Sequence, residues 1–223
     1  MSPISEPQSS YEGLIGSLAA DLRPVRPLQP PSARALIWLA AVFAAGLGLA
    51  AMADLPAIAA RLEAAPDMWL AVSGAALTMV LAAIAAFELS LPDRSQVWAL
   101  LPLPAALLWI AASGAGCLRT WLVPGTHAAA LDESRDCILF ILAVSVPLSA
   151  LLLAMLRRAY PLRPGLAAAI AGLASAAAAA TLLNLFHPYD ASGSDLVVHA
   201  AAVGLVVLAN RAYGGRMLRA AGA

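Results

Sequence analysis

LAAAIAGLASAAAAATLLNLF, residues 166–186, carries no charged side chain over its whole length. As a helix rising 1.5 Å per residue, about twenty such residues cross the roughly 30 Å hydrocarbon layer of a bilayer. Arg163-Pro164-Gly165 precedes the stretch and His187-Pro188 follows it, so breakers mark both ends. Five further blocks of this kind lie at 35–53, 68–87, 97–115, 138–156 and 196–213. None shows the strict alternation of apolar and polar residues that a membrane β-barrel strand needs. The chain therefore reads as an all-α membrane protein, a six-helix transmembrane bundle with a short amphipathic N-terminal cytoplasmic helix. Residues 1–34 form an arm, 35–213 the bundle, and 214–223 a short cytoplasmic tail.

Composition agrees. The 223 residues are 62% hydrophobic and 12% charged, with mean hydropathy +0.83; soluble globular chains are about half apolar and about a quarter charged. All 13 basic residues are Arg, and the net charge is zero. Bulk attraction to nucleic acid is not indicated, and no direct nucleic-acid contact is expected. Two cysteines are too few for a disulfide scaffold. The first block begins only near Ala35, too deep for an ordinary cleaved signal peptide, so it is expected to stay in the membrane. Pro102 and Pro104 fall in the third block and Pro147 in the fourth, where neighbouring groups must satisfy the freed carbonyls. The Gly- and Ala-rich first and fifth blocks predict close helix contacts.

Arginine sets the orientation, because cytoplasmic loops carry the basic excess. Arg23, Arg26, Arg34, Arg94, Arg157, Arg158, Arg163, Arg211, Arg216 and Arg219 belong to one set of connections, and Arg61, Arg119 and Arg135 to the other. The first set is expected inside, with both termini cytoplasmic. The opposite face collects Asp54, Glu63, Asp67, Asp132, Glu133, Asp136, Asp190 and Asp195. It also collects Cys117 and Cys137, with His127, His187 and His199 there or close by.

Within the arm, Ser9 and Glu12 have capping-box spacing. Tyr11, Leu14, Ile15, Leu18 and Leu22 then fall on one helical stripe, ending before Pro24. The following Arg23-Pro24-Val25-Arg26-Pro27 and Pro30-Pro31 predict an extended, stiff connection. A helix of about 12 residues is marginal alone in water. It either lies on the bilayer or bundle, or docks a soluble partner and folds on binding. Its few basic neighbours, Arg23 and Arg26, are fewer than a membrane-surface helix usually carries.

Cys117 ends the third block and Cys137 begins the fourth, which places both sulfurs near one membrane level. A disulfide staple, two inert buried thiols and a redox-responsive pair all remain open. With His127 and His187 a metal cluster is conceivable, but the spacing matches no standard zinc pattern. No metal or other cofactor is expected. No Asp, Glu, Lys or Arg lies in the middle of a block, and Asn184 is the only amide well inside one. Ion-coupled carriers usually keep intramembrane charges. There is no phosphate loop and no Ser/His/Asp arrangement, so the protein is not expected to be an enzyme. Ser113, Ser145, Ser149 and Thr181 read as helix-packing or back-bonding groups.

The segment from Leu14 to Leu28, LIGSLAADLRPVRPL, resembles the opening motif of the NrsF-type anti-sigma factors. Gly116-Cys117-Leu118, Cys137, Leu156-Arg157-Arg158 with Pro161, Arg163 and Pro164, Gly172-Leu173, and the run Gly215 to Arg219 also fit. The resemblance implies a bacterial inner-membrane protein with six helices that holds an extracytoplasmic-function (ECF) sigma factor inactive. It implies that the arm residues Leu14, Ile15, Leu18, Leu22, Arg23, Pro24, Val25, Arg26 and Pro27 bind the sigma factor. It further implies that Cys117 and Cys137 take part in signal response, to redox change or heavy metals. One departure stands out. The family's loop after the fifth block often carries His followed by Cys, then an aromatic pair; here His187 precedes Pro188, and Val198-His199 replaces the pair. The competing reading is a small permease or transporter-like protein in which the arm is incidental. A scaffold or assembly subunit is a third.

Overall fold

The computed structural model describes residues 8–20, 22, 27–64, 66–122, 131–183 and 193–220, and these contain no strand. In chain order the helices are α1 (Gln8–Ala20), α2 (Pro31–Ala50), α3 (Leu55–Ala64), α4 (Pro66–Glu88), α5 (Leu103–Leu122), α6 (Leu131–Arg157), α7 (Pro164–Leu183), α8 (Gly193–Ala209) and α9 (Gly215–Ala220). A 3-10 turn, Gln96–Leu100, precedes α5, and a π-helical turn, Asn210–Gly214, joins α8 to α9. Six stretches are long and apolar enough to cross a membrane: Pro31–Ala50, Met68–Glu88, Gln96–Ala115, Cys137–Arg157, Pro164–Leu183 and Leu196–Ala220. Each coincides with one of the six expected blocks.

Local chemistry explains the element ends. Pro30 is extended (φ −57°, ψ 148°) and Pro31 opens α2, where a proline's fixed φ suits a first helical residue and its missing N–H is not needed. The prolines of the third block do not interrupt a helix. Ser95 Oγ accepts from the Val97 amide at 3.3 Å to start the 3-10 turn. Pro102 then supplies the carbonyl for the first bond of α5, from the Ala106 amide at 2.9 Å, and Pro104 sits in the first turn. Pro147 does lie inside α6. Helix α3 lies outside the six expected blocks, since its ten residues are too few to stand out as an apolar block.

Helix α7 is the centre of the bundle. In its apolar window 72% of the residues are buried, against 44% or less in the other five. Alanine explains this: Ala167, Ala168, Ala171, Ala174 and Ala176 to Ala180 let neighbours approach from all sides. At Gly172 the approach is closest. A Cβ there would sit 2.8 Å from Asn210 Cβ and 3.0 Å from Val207 Cα. Gly74 in α4 plays the same part against α5, where an added Cβ would sit 2.8 Å from the Trp109 backbone. Small residues at such crossings replace hydrophobic driving force with van der Waals contact. Three hydroxyls are satisfied within their own helices. Ser175 donates to the Ala171 carbonyl (3.0 Å), Thr181 to that of Ala177 (2.8 Å) and Thr78 to that of Gly74 (2.7 Å).

The sixth block runs further than expected. Helix continues through the π turn to Ala220, so residues 214–220 are helical. Gly215 meets Gly165, with a built Cβ 3.1 Å from its Cα, which sets α9 against the start of α7. Asn210 is thereby well inside a helical span and buried. Its amide donates to Ser149 Oγ at 3.1 Å and to the Val206 carbonyl at 2.9 Å. The expected lone amide, Asn184, lies outside the described residues. Ser149 is thus an interhelical acceptor, whereas Ser145 Oγ is buried with no partner among the described residues.

Candidate docking arm and its anchor

Helix α1 begins at Gln8, one residue ahead of the expected Ser9 cap, and stops at Ala20, short of Pro24. Its apolar stripe is uncovered: Tyr11 is 64% exposed, Leu14 56%, Ile15 64%, Leu18 61%, and Leu22 just beyond the helix 77%. On the far side, Gly13 and Gly16 face open space. Ser17 Oγ donates to the Leu14 carbonyl at 2.8 Å. Pro27 is exposed and outside any helix. Arg23, Pro24, Val25 and Arg26 lie outside the described residues.

The arm joins the bundle at Arg34, a residue whose importance the sequence alone did not show. It was counted there as one of the orienting arginines, but it lies in the first turn of α2 and is only 5% exposed. Its Nη2 donates to the Met155 carbonyl at 2.6 Å and its Nη1 to Ser90 Oγ at 3.2 Å. The guanidinium lies 4.6 Å from the centroid of the Phe87 ring, a cation–π contact. The Met155 carbonyl is available because α6 tightens as it ends: the Ala159 amide bonds Leu156 rather than Met155. Arg34 thus fills an orphan acceptor at a helix C-terminus, where positive charge is also favoured. Ser90 is held ready by donating to the Phe87 carbonyl at 2.6 Å. No carboxylate pairs with Arg34 among the described residues. The available signal was an Arg between Ala33 and Ala35, next to a Pro-Pro helix start.

One turn on, Trp38 is fully buried and its indole N–H donates to the Leu148 carbonyl of α6 at 3.1 Å. The buried residues of α2 are Arg34, Ala35, Trp38 and Val42, all in its first twelve positions. Beyond them Phe43 and Leu47 are exposed. The start of α2, the ends of α4 and α6 and the start of α7 therefore meet at one end of the bundle. That end also carries Arg94, Arg157, Arg158, Arg163, Arg211, Arg216 and Arg219. Arg94 Nε pairs with Glu88 at 2.9 Å. Arg163 donates through Nε and Nη2, at 2.8 and 2.9 Å, to the Gln96 oxygen when that amide is turned toward it.

Both cysteines lie within helices rather than at their ends, because α5 runs on to Leu122 and α6 begins already at Leu131. Charged residues that end an apolar block do not end a helix, and Arg119 and Asp132 to Asp136 simply extend it. Cys137 is buried, 6% exposed, in a cluster with Ile141, Ala179, Leu183 and Ala202. The Cys117 side chain, His127 and His187 lie outside what the structure describes; His199 is half-buried in α8. The described geometry offers protein docking and helix-to-helix coupling.

No curated protein and no solved structure matches the chain. A family model described as negative regulator of sigma F does match, over residues 18–219, and the chain accordingly belongs to the NrsF family.

Proposed function

We propose that this protein holds an ECF sigma factor at the bacterial inner membrane through its N-terminal arm and releases it when a signal reaches the opposite face. The observation that carries this reading is the uncovered stripe of α1. Four exposed large apolar residues in α1, with Leu22 just beyond it, need a surface to bury them. Membership in a family of negative regulators of a sigma factor names the kind of protein that supplies one. Leu18, Leu22, Arg23, Pro24, Val25, Arg26 and Pro27 fall inside the family match, while Leu14 and Ile15 precede it and rest on helical periodicity.

Six apolar spans and the arginines at one end support insertion with that end in the cytoplasm. Leu36, Ile37, Phe43 and Leu47 of α2 are all more than half exposed, which suits lipid contact and not water. The thiols Cys117 and Cys137 belong to the other end, where an oxidant or thiophilic metal arrives first. The arm leucines bury against the sigma factor and exclude polymerase from the same surface, with Arg23 and Arg26 pairing with its acids. The test is co-purification from membranes. Leu18→Asp with Leu22→Asp is expected to abolish capture of the sigma factor, and undiminished capture would remove the arm from the mechanism.

A further inference from the structure

We infer that Arg34 and Trp38 are positioning residues that fix the docking arm to α6, so that the placement of the arm follows the state of that helix. This rests on the anti-sigma reading above and adds to it the route by which the bundle governs the arm.

Three observations carry it. First, both clamping residues of α2 reach α6, Arg34 at the Met155 carbonyl and Trp38 at the Leu148 carbonyl, while the second Arg34 bond, to Ser90, ties the same point to the end of α4. The buried part of α2 ends at Val42, so these contacts secure the root of the arm. Second, α6 also carries Cys137, 18 residues before Met155 and so about 27 Å away along the helix axis. Its far end packs with α7 and α8 through Cys137, Ile141, Leu183 and Ala202. Third, Pro147 lies between the Cys137 cluster and the two clamps, next to Leu148. A proline in a helix removes one backbone bond and permits a bend there. A change of packing around Cys137 can therefore alter the angle of the segment that holds Arg34 and Trp38.

The clamp suits a reversible role. The Arg34 charge meets a carbonyl, a hydroxyl and a ring, with no carboxylate among the described residues. Charged hydrogen bonds of this kind depend steeply on geometry and are lost over small displacements. Upstream, Pro30 is extended and Pro27 lies three residues before it, so the described stretch leading into α2 is stiff and moves with Arg34.

The experiment uses the full chain. Arg34→Met keeps the hydrocarbon stem and removes every donor; Trp38→Phe removes only the indole N–H donor and part of the ring. Hydrogen exchange of the detergent-solubilised protein is expected to rise about tenfold over residues 31–38 in each variant, with residues 164–183 unchanged. In unstimulated cells, transcription dependent on the sigma factor is expected to shift severalfold from wild type. Capture of the sigma factor in detergent should stay within about twofold, because the α1 stripe is intact. Arg34→Lys, which retains charge but not the planar fork, should fall between wild type and Arg34→Met. Raised exchange at 31–38 with wild-type transcription would overturn the coupling, and so would unchanged exchange. Should Arg34→Met fail to accumulate, Trp38→Phe and Ser90→Ala carry the same test. The two ideas fail separately. Capture retained by the Leu18→Asp, Leu22→Asp protein defeats docking through the arm; loss there with wild-type transcription in Arg34→Met defeats the coupling alone.

Discussion

Replacing Leu18 and Leu22 by alanine gives a quantitative measure of what the arm contributes. Alanine is the best helix former, so the change removes apolar surface without weakening α1. Burying a whole leucine side chain from water is worth roughly 1.5–3 kcal/mol. Leu18 is already 39% covered and Leu22 23% covered by the chain itself, their exposures being 61% and 77%. Scaled by those exposures, full burial against a partner is worth about 1–2 kcal/mol for each leucine. Alanine retains a methyl group, so the double variant should lose about 1.5–3 kcal/mol, which raises Kd about 10- to 150-fold. The assay is titration of the purified sigma factor against the full chain in detergent, followed by fluorescence anisotropy. Ser17→Ala, off the stripe, is the control and should leave Kd within about twofold. A double variant that binds within about threefold of wild type would mean that the stripe is not the docking face, and the argument from exposure would be wrong.

Gly13→Ala with Gly16→Ala should act in the opposite direction. Both positions face open space, and each change favours the helix by up to about 1 kcal/mol, so the same titration should show Kd several-fold lower. In the core, Gly172→Val should destabilise the bundle by about 1–3 kcal/mol or more in denaturant unfolding, because its Cβ meets the Asn210 side chain and the Val207 backbone. Gly48→Ala, with nothing within 4 Å, should not. Finally, a bulky maleimide should label Cys137 far more slowly in the folded protein than after denaturation and reduction, since its side chain is 6% exposed; equal rates, read by mass spectrometry, would contradict its packing against Ile141 and Ala179.

Much of the helical architecture was legible in the sequence because long apolar runs are a one-dimensional signal. Charge-free runs of about twenty residues declare helices, and the arginines divide the connections into two sets, whichever helices touch. The stripe from Tyr11 to Leu22 was equally readable, since periodicity alone decides which side chains share a face. The family likeness drew on the same local signals. Tertiary structure decided what depends on which backbone groups are left over and who reaches them. Arg34 reads as one more interfacial charge until α6 is seen to end with the Met155 carbonyl unclaimed and within its reach. Asn210 reads as a residue near the end of a block until the helix is seen to run on to Ala220 and bring it against Ser149. The alanines of α7 fix its helical state in any context, but its central place follows from how closely Gly172 lets α8 approach. Hydropathy reports the cost of leaving water; it is silent on which neighbour will supply a hydrogen bond, because that requires two segments distant in the chain to arrive at one point.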